Sequence, residues 1–95
     1  MNKNNKTISL DNYTGFTGNY NIIKASNCVI IGNTNDITGH HNMIIGNHNN
    51  VNGNRNNMRG NNNDIHGNNN EIIGNTNDIY GDENEYKGKY NDIHI

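Results

Sequence analysis

Apolar residues recur along this chain at a fixed interval. From Gly32 to Asp92 the sequence divides into sevens: GNTNDIT, GHHNMII, GNHNNVN, GNRNNMR, GNNNDIH, GNNNEII, GNTNDIY, GDENEYK and GKYND. Glycine opens each unit, asparagine holds the fourth place, and the sixth place is Ile, Val, Met or Tyr. Two units precede these in phase, GNYNIIK from Gly18 and ASNCVII from Ala25. A coiled coil needs two apolar positions per heptad, and only one here is always apolar. Glycine in every heptad would also cost a helix about 1 kcal/mol per unit. The pattern instead predicts a short strand and a tight Gly-Asn turn per unit. In a strand the fourth and sixth places share one face, and the fifth and seventh share the other.

The outward places reveal a longer period. Asp36, Asp64, Asp78 and Asp92 fall in alternate units, and the tripeptide IIG recurs at 30, 44 and 72. The successive spacings are 14 or 28, neither a multiple of 21, so two heptads make one coil and a triangular coil is excluded. The fold class expected is all-β: a flattened parallel β-solenoid of two sheets, about five to six coils ~4.8 Å apart, on the order of 26 Å tall. Ile30, Ile44, Met58, Ile72 and Tyr86 should stack as one inner ladder, and Ile23, Ile37, Val51, Ile65, Ile79 and Ile93 as the other. Fourth-place asparagines should form hydrogen-bonded amide ladders along the axis. Residues 18–95 form the solenoid in this reading, with Ile95 at a glycine place. Residues 1–17 form an irregular N-terminal cap to which Ile8, Leu10, Tyr13 and Phe16 lend apolar surface.

Composition narrows the function classes. The 95 residues allow one domain, and 29% hydrophobic content is thin for a conventional core. Asparagine accounts for 27 residues; with Ile, Lys and Tyr it points to AT-rich coding, as in some large DNA viruses. A net charge of −2 gives no reason to expect nucleic acid or an anionic membrane as partner. Cys28 is the single cysteine, standing where the repeat has asparagine, and reads as a small buried side chain. No secretory signal and no membrane-spanning run is visible, so a cytoplasmic or virion-associated location is expected.

The seven-residue unit, paired into a 14-residue coil with the IIGN step at Gly32, Gly46 and Gly74, resembles the haemagglutinin-type head repeat of trimeric autotransporter adhesins. That resemblance implies a left-handed parallel β-roll associating as a trimer. Asparagine replaces the small Ala and Ser of the usual repeat, and no stalk or anchor accompanies it.

No constellation carries catalysis. Ser9 and Ser26 both lie outside the regular units, and no helix follows any Gly-Asn turn to cradle a phosphate. Catalytic residues, cofactors and metal ligands are therefore all expected to be none. The Asp36, Asp64, Asp78, Asp92 column, interrupted by Asn50, reads as a solvated face rather than a cation ladder. His40, His41 and His48 lie at turns. His66 and His94 lie two coils apart, too far for both to hold one ion at ~2.0–2.1 Å.

The most informative surface carries Val29, Ile31, Met43, Ile45 and Ile73 on one outer face, because clustered apolar side chains mark an interface. The expected function is a non-enzymatic structural or assembly protein that associates with itself as a dimer or trimer, in a virion or fibre. The alternative is an adhesin-like module recognising a host surface or glycan. Ice binding is a weaker third class, since aligned Thr-x-Thr rows are absent. Two broader alternatives are a disordered asparagine-rich chain, which would need no glycine phase held for nine units, and an amyloid-like filament.

Overall fold

The computed structural model describes residues 4–10 and 14–94. It is all-β, a parallel β-solenoid of about six turns. The seven-stranded sheet takes the odd strands: β1 (Thr7–Leu10), β3 (Ile22–Ala25), β5 (Asp36–Thr38), β7 (Asn50–Asn52), β9 (Asp64–His66), β11 (Asp78–Tyr80) and β13 (Asp92–His94). The six-stranded sheet takes the even ones: β2 (Gly15–Thr17), β4 (Val29–Ile31), β6 (Met43–Ile45), β8 (Asn57–Arg59), β10 (Glu71–Ile73) and β12 (Glu85–Lys87). From β2 onward each strand pairs in register with the strand 14 residues later, as in Ile30↔Ile44 and Ile65↔Ile79.

The stretch expected as an irregular cap holds β1 and β2. Its first coil is one residue longer than the rest, since Thr7 pairs with Ile22 and Leu10 with Ala25. Ala25 thereby continues β3 instead of opening a turn, which accounts for the one opener that is not glycine. Phe16 sits under Ile30 and extends that ladder by one rung. Tyr13 and Ile95 lie outside the described residues. With the extra coil the extents are 33 × 19 × 15 Å.

The two ladders fill the space between the sheets. Ile23, Ile30, Ile37, Ile44, Val51, Met58, Ile65, Ile72 and Ile79 are buried, and Ile8, Leu10 and Ile93 are partly buried against them. Tyr86 corrects the expectation. It holds its register above Ile72, yet it is 48% exposed because β12 is the last strand of its sheet and no coil covers the ring.

The fourth-place asparagines are buried beside the ladders, from Asn21 and Asn35 to Asn77. They climb the axis as the expected ladder, and each amide bonds the backbone of the coil beneath. Asn35 Oδ1 accepts from the backbone N–H of Asn21 at 2.9 Å, and its Nδ2 donates to the Gly18 carbonyl at 2.9 Å. Asn42, Asn49, Asn56, Asn63, Asn70 and Asn77 repeat both bonds to the coil beneath. Each amide therefore satisfies two turn groups that the sheets leave unpaired. Cys28 is buried in the same place, as expected, and its thiol donates to the Ser26 carbonyl.

The turn has a fixed conformation. A Cβ on Gly60, at φ 143°, would lie 1.8 Å from the Gly46 carbonyl oxygen, so an added methyl would force the coils apart. The third place is left-handed throughout, from Tyr20 at φ 59° to Tyr90 at 62°. Most of these residues are neither Gly nor Asn. Thr34 and Thr76 are β-branched at 59° and 61°, where such side chains are strained.

Two outcomes follow from this backbone. Replacing Asn56 with Leu strands the Asn42 N–H and the Gly39 carbonyl, at about 1–3 kcal/mol each. Chemical denaturation should show a large loss for Asn56→Leu and little for Asn52→Asp on an outer face; equal losses would contradict the assigned role of the inner amide. Thr34→Asn relieves the left-handed strain and should stabilise by about 1 kcal/mol, raising the melting temperature by roughly 4–8 °C, as read by circular dichroism.

Candidate functional site

Because the inner places are committed to the core, function must reside on the outward ones. They form two sheet faces and two turn edges, each a set of columns climbing one coil at a time.

On the six-stranded face, Val29 pairs with Met43 and Ile31 with Ile45, so these four expected interface residues are adjacent. Val29, Ile31 and Ile45 are 42%, 44% and 38% exposed. Ile73 is set apart from them, because Arg59 stands between Ile45 and Ile73 in the same column. Higher up, Glu71, Glu85 and Lys87 make the face charged, around an open groove that also reaches Ile73 and Tyr86.

The seven-stranded face carries Ile22, Asp36, Asn50, Asp64, Asp78 and Asp92 in one column. Beside it run Lys24, Thr38, Asn52, His66, Tyr80 and His94. Tyr80 stacks on both imidazoles, with centroids 4.6 Å from His66 and 4.4 Å from His94. His66 Nε2 lies 3.4 Å from Asp64 Oδ1; His94 Nε2 lies 3.4 Å from Asp78 Oδ1 and 3.5 Å from Asp92 Oδ1. Desolvation, and then the carboxylates of Asp78 and Asp64, push the Tyr80 phenol above its usual range, and it donates to Asp78 Oδ2 at 3.4 Å. The two histidines are two coils apart, as read from the sequence. That reading paired histidine with histidine and so missed the meeting of His94 with two aspartates.

The edge joining each even strand to the next odd one carries a feature the sequence reading passed over. Asn19, Asn33, Asn47, Asn61 and Asn75 occupy the second place in successive coils. The Oδ1 of each accepts from the backbone N–H one coil above, ending at Lys89, at 2.7–2.8 Å. Asn4 makes the same bond to Asn19 below them. Each side chain is thus held through its Oδ1 to the backbone of the coil above. Their third-place neighbours Tyr20, Thr34, His48, Asn62, Thr76 and Tyr90 complete an edge that carries no permanent charge from Asn19 to Asn77. The signal was present in the recurring G-N-x-N, but a surface asparagine alone says nothing about order.

The opposite edge is less regular. His40 Nδ1 accepts from the Asn54 N–H, Asn54 Oδ1 from Asn68, and Asn68 Oδ1 from Asp82. His41, Arg55 and Glu83 stand beside this row. His40, His41, Asn54, Arg55, Asn68 and Asn69 border a shallow open groove there. Among the described residues no helix is long and apolar enough to cross a membrane.

A family model described as the grass antifreeze beta roll matches residues 1–88. No curated protein and no solved structure matches the chain.

Proposed function

We propose, from the premise that this chain belongs to the grass antifreeze β-roll family, that it binds ice through its asparagine edge. An ice surface offers only weak contacts in a fixed lattice, so adhesion requires many groups held in place together. Groups that must first be ordered lose that advantage to conformational entropy. The observation that carries the reading is the row from Asn19 to Asn75, pinned to the backbone at every step. The amides are one coil apart and the edge carries no permanent charge from Asn19 to Asn77. Both sheet faces, by contrast, carry charged side chains that keep their own hydration. Aligned Thr-x-Thr rows remain absent, and asparagine amides take their place in this reading. The activity is non-enzymatic and calls for no cofactor.

A second reading, self-association as a dimer or trimer in a structural role, is favoured by the four adjacent apolar side chains on β4 and β6. They are already more than half buried in the single chain, so covering what remains contributes about 1 kcal/mol each, a gain that several copies of the patch in closed symmetry would sum. An adhesin-like head, the finer form of the heptad resemblance, has only the repeat in its support.

Thermal hysteresis and inhibition of ice recrystallisation test the first reading. The native chain should show both. Asn47→Asp with Asn61→Asp keeps the acceptor oxygens but charges the edge, and should reduce both severalfold. Asn54→Asp with Asn68→Asp on the opposite edge should leave them intact. A native chain without effect on ice removes the reading; an effect lost only from the opposite edge moves the site. For the second reading, Ile31→Lys with Ile45→Lys should turn an oligomer into monomers by light scattering after size exclusion. A native monomer at tens of micromolar would dismiss it.

A further inference from the structure

The seven-stranded face holds a group of donors that the proposed ice edge does not use. Asp78, Asp92 and His94 each direct one ligand atom into the same space, all within 4.8 Å of one another. A tetrahedral ion with ligands at ~2.0–2.2 Å places neighbouring donors roughly 3.3–3.6 Å apart. His94 Nε2 meets the two carboxylate oxygens at 3.4 and 3.5 Å. The imidazole is held by stacking on Tyr80, 8° from parallel. Asp78 Oδ1 accepts no hydrogen bond, as Asp64 Oδ1 also does not, while the Asp78 side chain as a whole is 43% exposed. Asp78 Oδ2 is meanwhile held by the Tyr80 hydroxyl, the kind of outer contact that orients a ligating carboxylate.

We propose that Asp78, Asp92 and His94 bind one divalent transition-metal ion of the zinc class, with water completing the coordination. One imidazole and two carboxylates suit zinc better than calcium or magnesium, which favour all-oxygen sets. The ion ties β13 to β11. The second of these is an interior strand, whereas β13 is the edge strand of its sheet and its Ile93 is only partly buried. Metal binding therefore stabilises the last coil by mass action.

The repeat contains its own control. Two coils lower, His66 and Asp64 stand in the places of His94 and Asp92, at a similar 3.4 Å. The residue in the place of Asp78 is there Asn50, which brings a neutral amide instead of a carboxylate. The lower set is one ligand short, and a single exchange supplies it.

Calorimetric titration of the untagged full chain with zinc chloride tests the proposal. The expected result is one ion per chain for the native protein and two for Asn50→Asp. His94→Ala and, separately, Asp92→Asn should each weaken binding at least tenfold while keeping the β-sheet circular dichroism. Nitrogen NMR should show the His94 Nε2 resonance shifting on addition of zinc. Undiminished binding by both weakened variants would assign the ion to another group, such as the His40–His41 edge, and overturn the proposal. So would the absence of saturable binding up to millimolar zinc, in which case the three groups form an ion pair only. Equal displacement by calcium would overturn the role given to the imidazole.

Discussion

The fold depends on one amide. The fourth-place asparagine reaches back to the preceding coil and takes both a backbone N–H and a carbonyl that the sheets cannot satisfy. In a roll 15 Å across its narrow dimension, the turns lie nearly as deep as the ladders. Leaving two such groups unpaired at every turn would cost about as much as burying an isoleucine contributes. The asparagine column thus makes a one-residue-wide core sufficient. It also sets the demand for glycine, because the carbonyl that accepts its Nδ2 lies where the next opener's Cβ would stand.

Much of this was legible in the sequence because the inner places repeat by kind. Isoleucine at every sixth place and asparagine at every fourth can share a face only in a strand, and the recurrence of IIG at multiples of 14 fixes the register. What could not be read was set by backbone rather than by residue type. The third place is left-handed whether it holds Tyr20, Thr34, Arg55 or Glu83, so no composition signal marks it. The 15-residue first coil escaped notice because Thr7–Leu10 lacks the glycine phase. Tyr86 obeys the repeat and is exposed only because the sheet ends there.

The outward places were harder to read for a different reason. Each is free of the core, so its meaning depends on its neighbours in other coils. Ile73 belongs by period with Ile31 and Ile45, yet Arg59 separates it from them. His94 acquires its setting from Asp78, sixteen positions earlier, and not from another histidine. The outer asparagines look like ordinary solvated residues until their Oδ1 atoms are seen tied to the coil above. This freedom also lets a 95-residue chain present an apolar face, an acidic face and an amide edge on one uniform scaffold.

The uniform 14-residue register has a genetic corollary. A tandem duplication of two heptads inserts a complete rung whose glycine, asparagines and ladder residues all find partners above and below. Deletion of two heptads removes one as cleanly. A single-codon insertion inside a strand, by contrast, turns the inner side chains that follow it in that strand outward. Selection can therefore lengthen or shorten the molecule in whole coils at little risk to folding. The number of amides along its edge becomes a quantity that replication slippage can adjust.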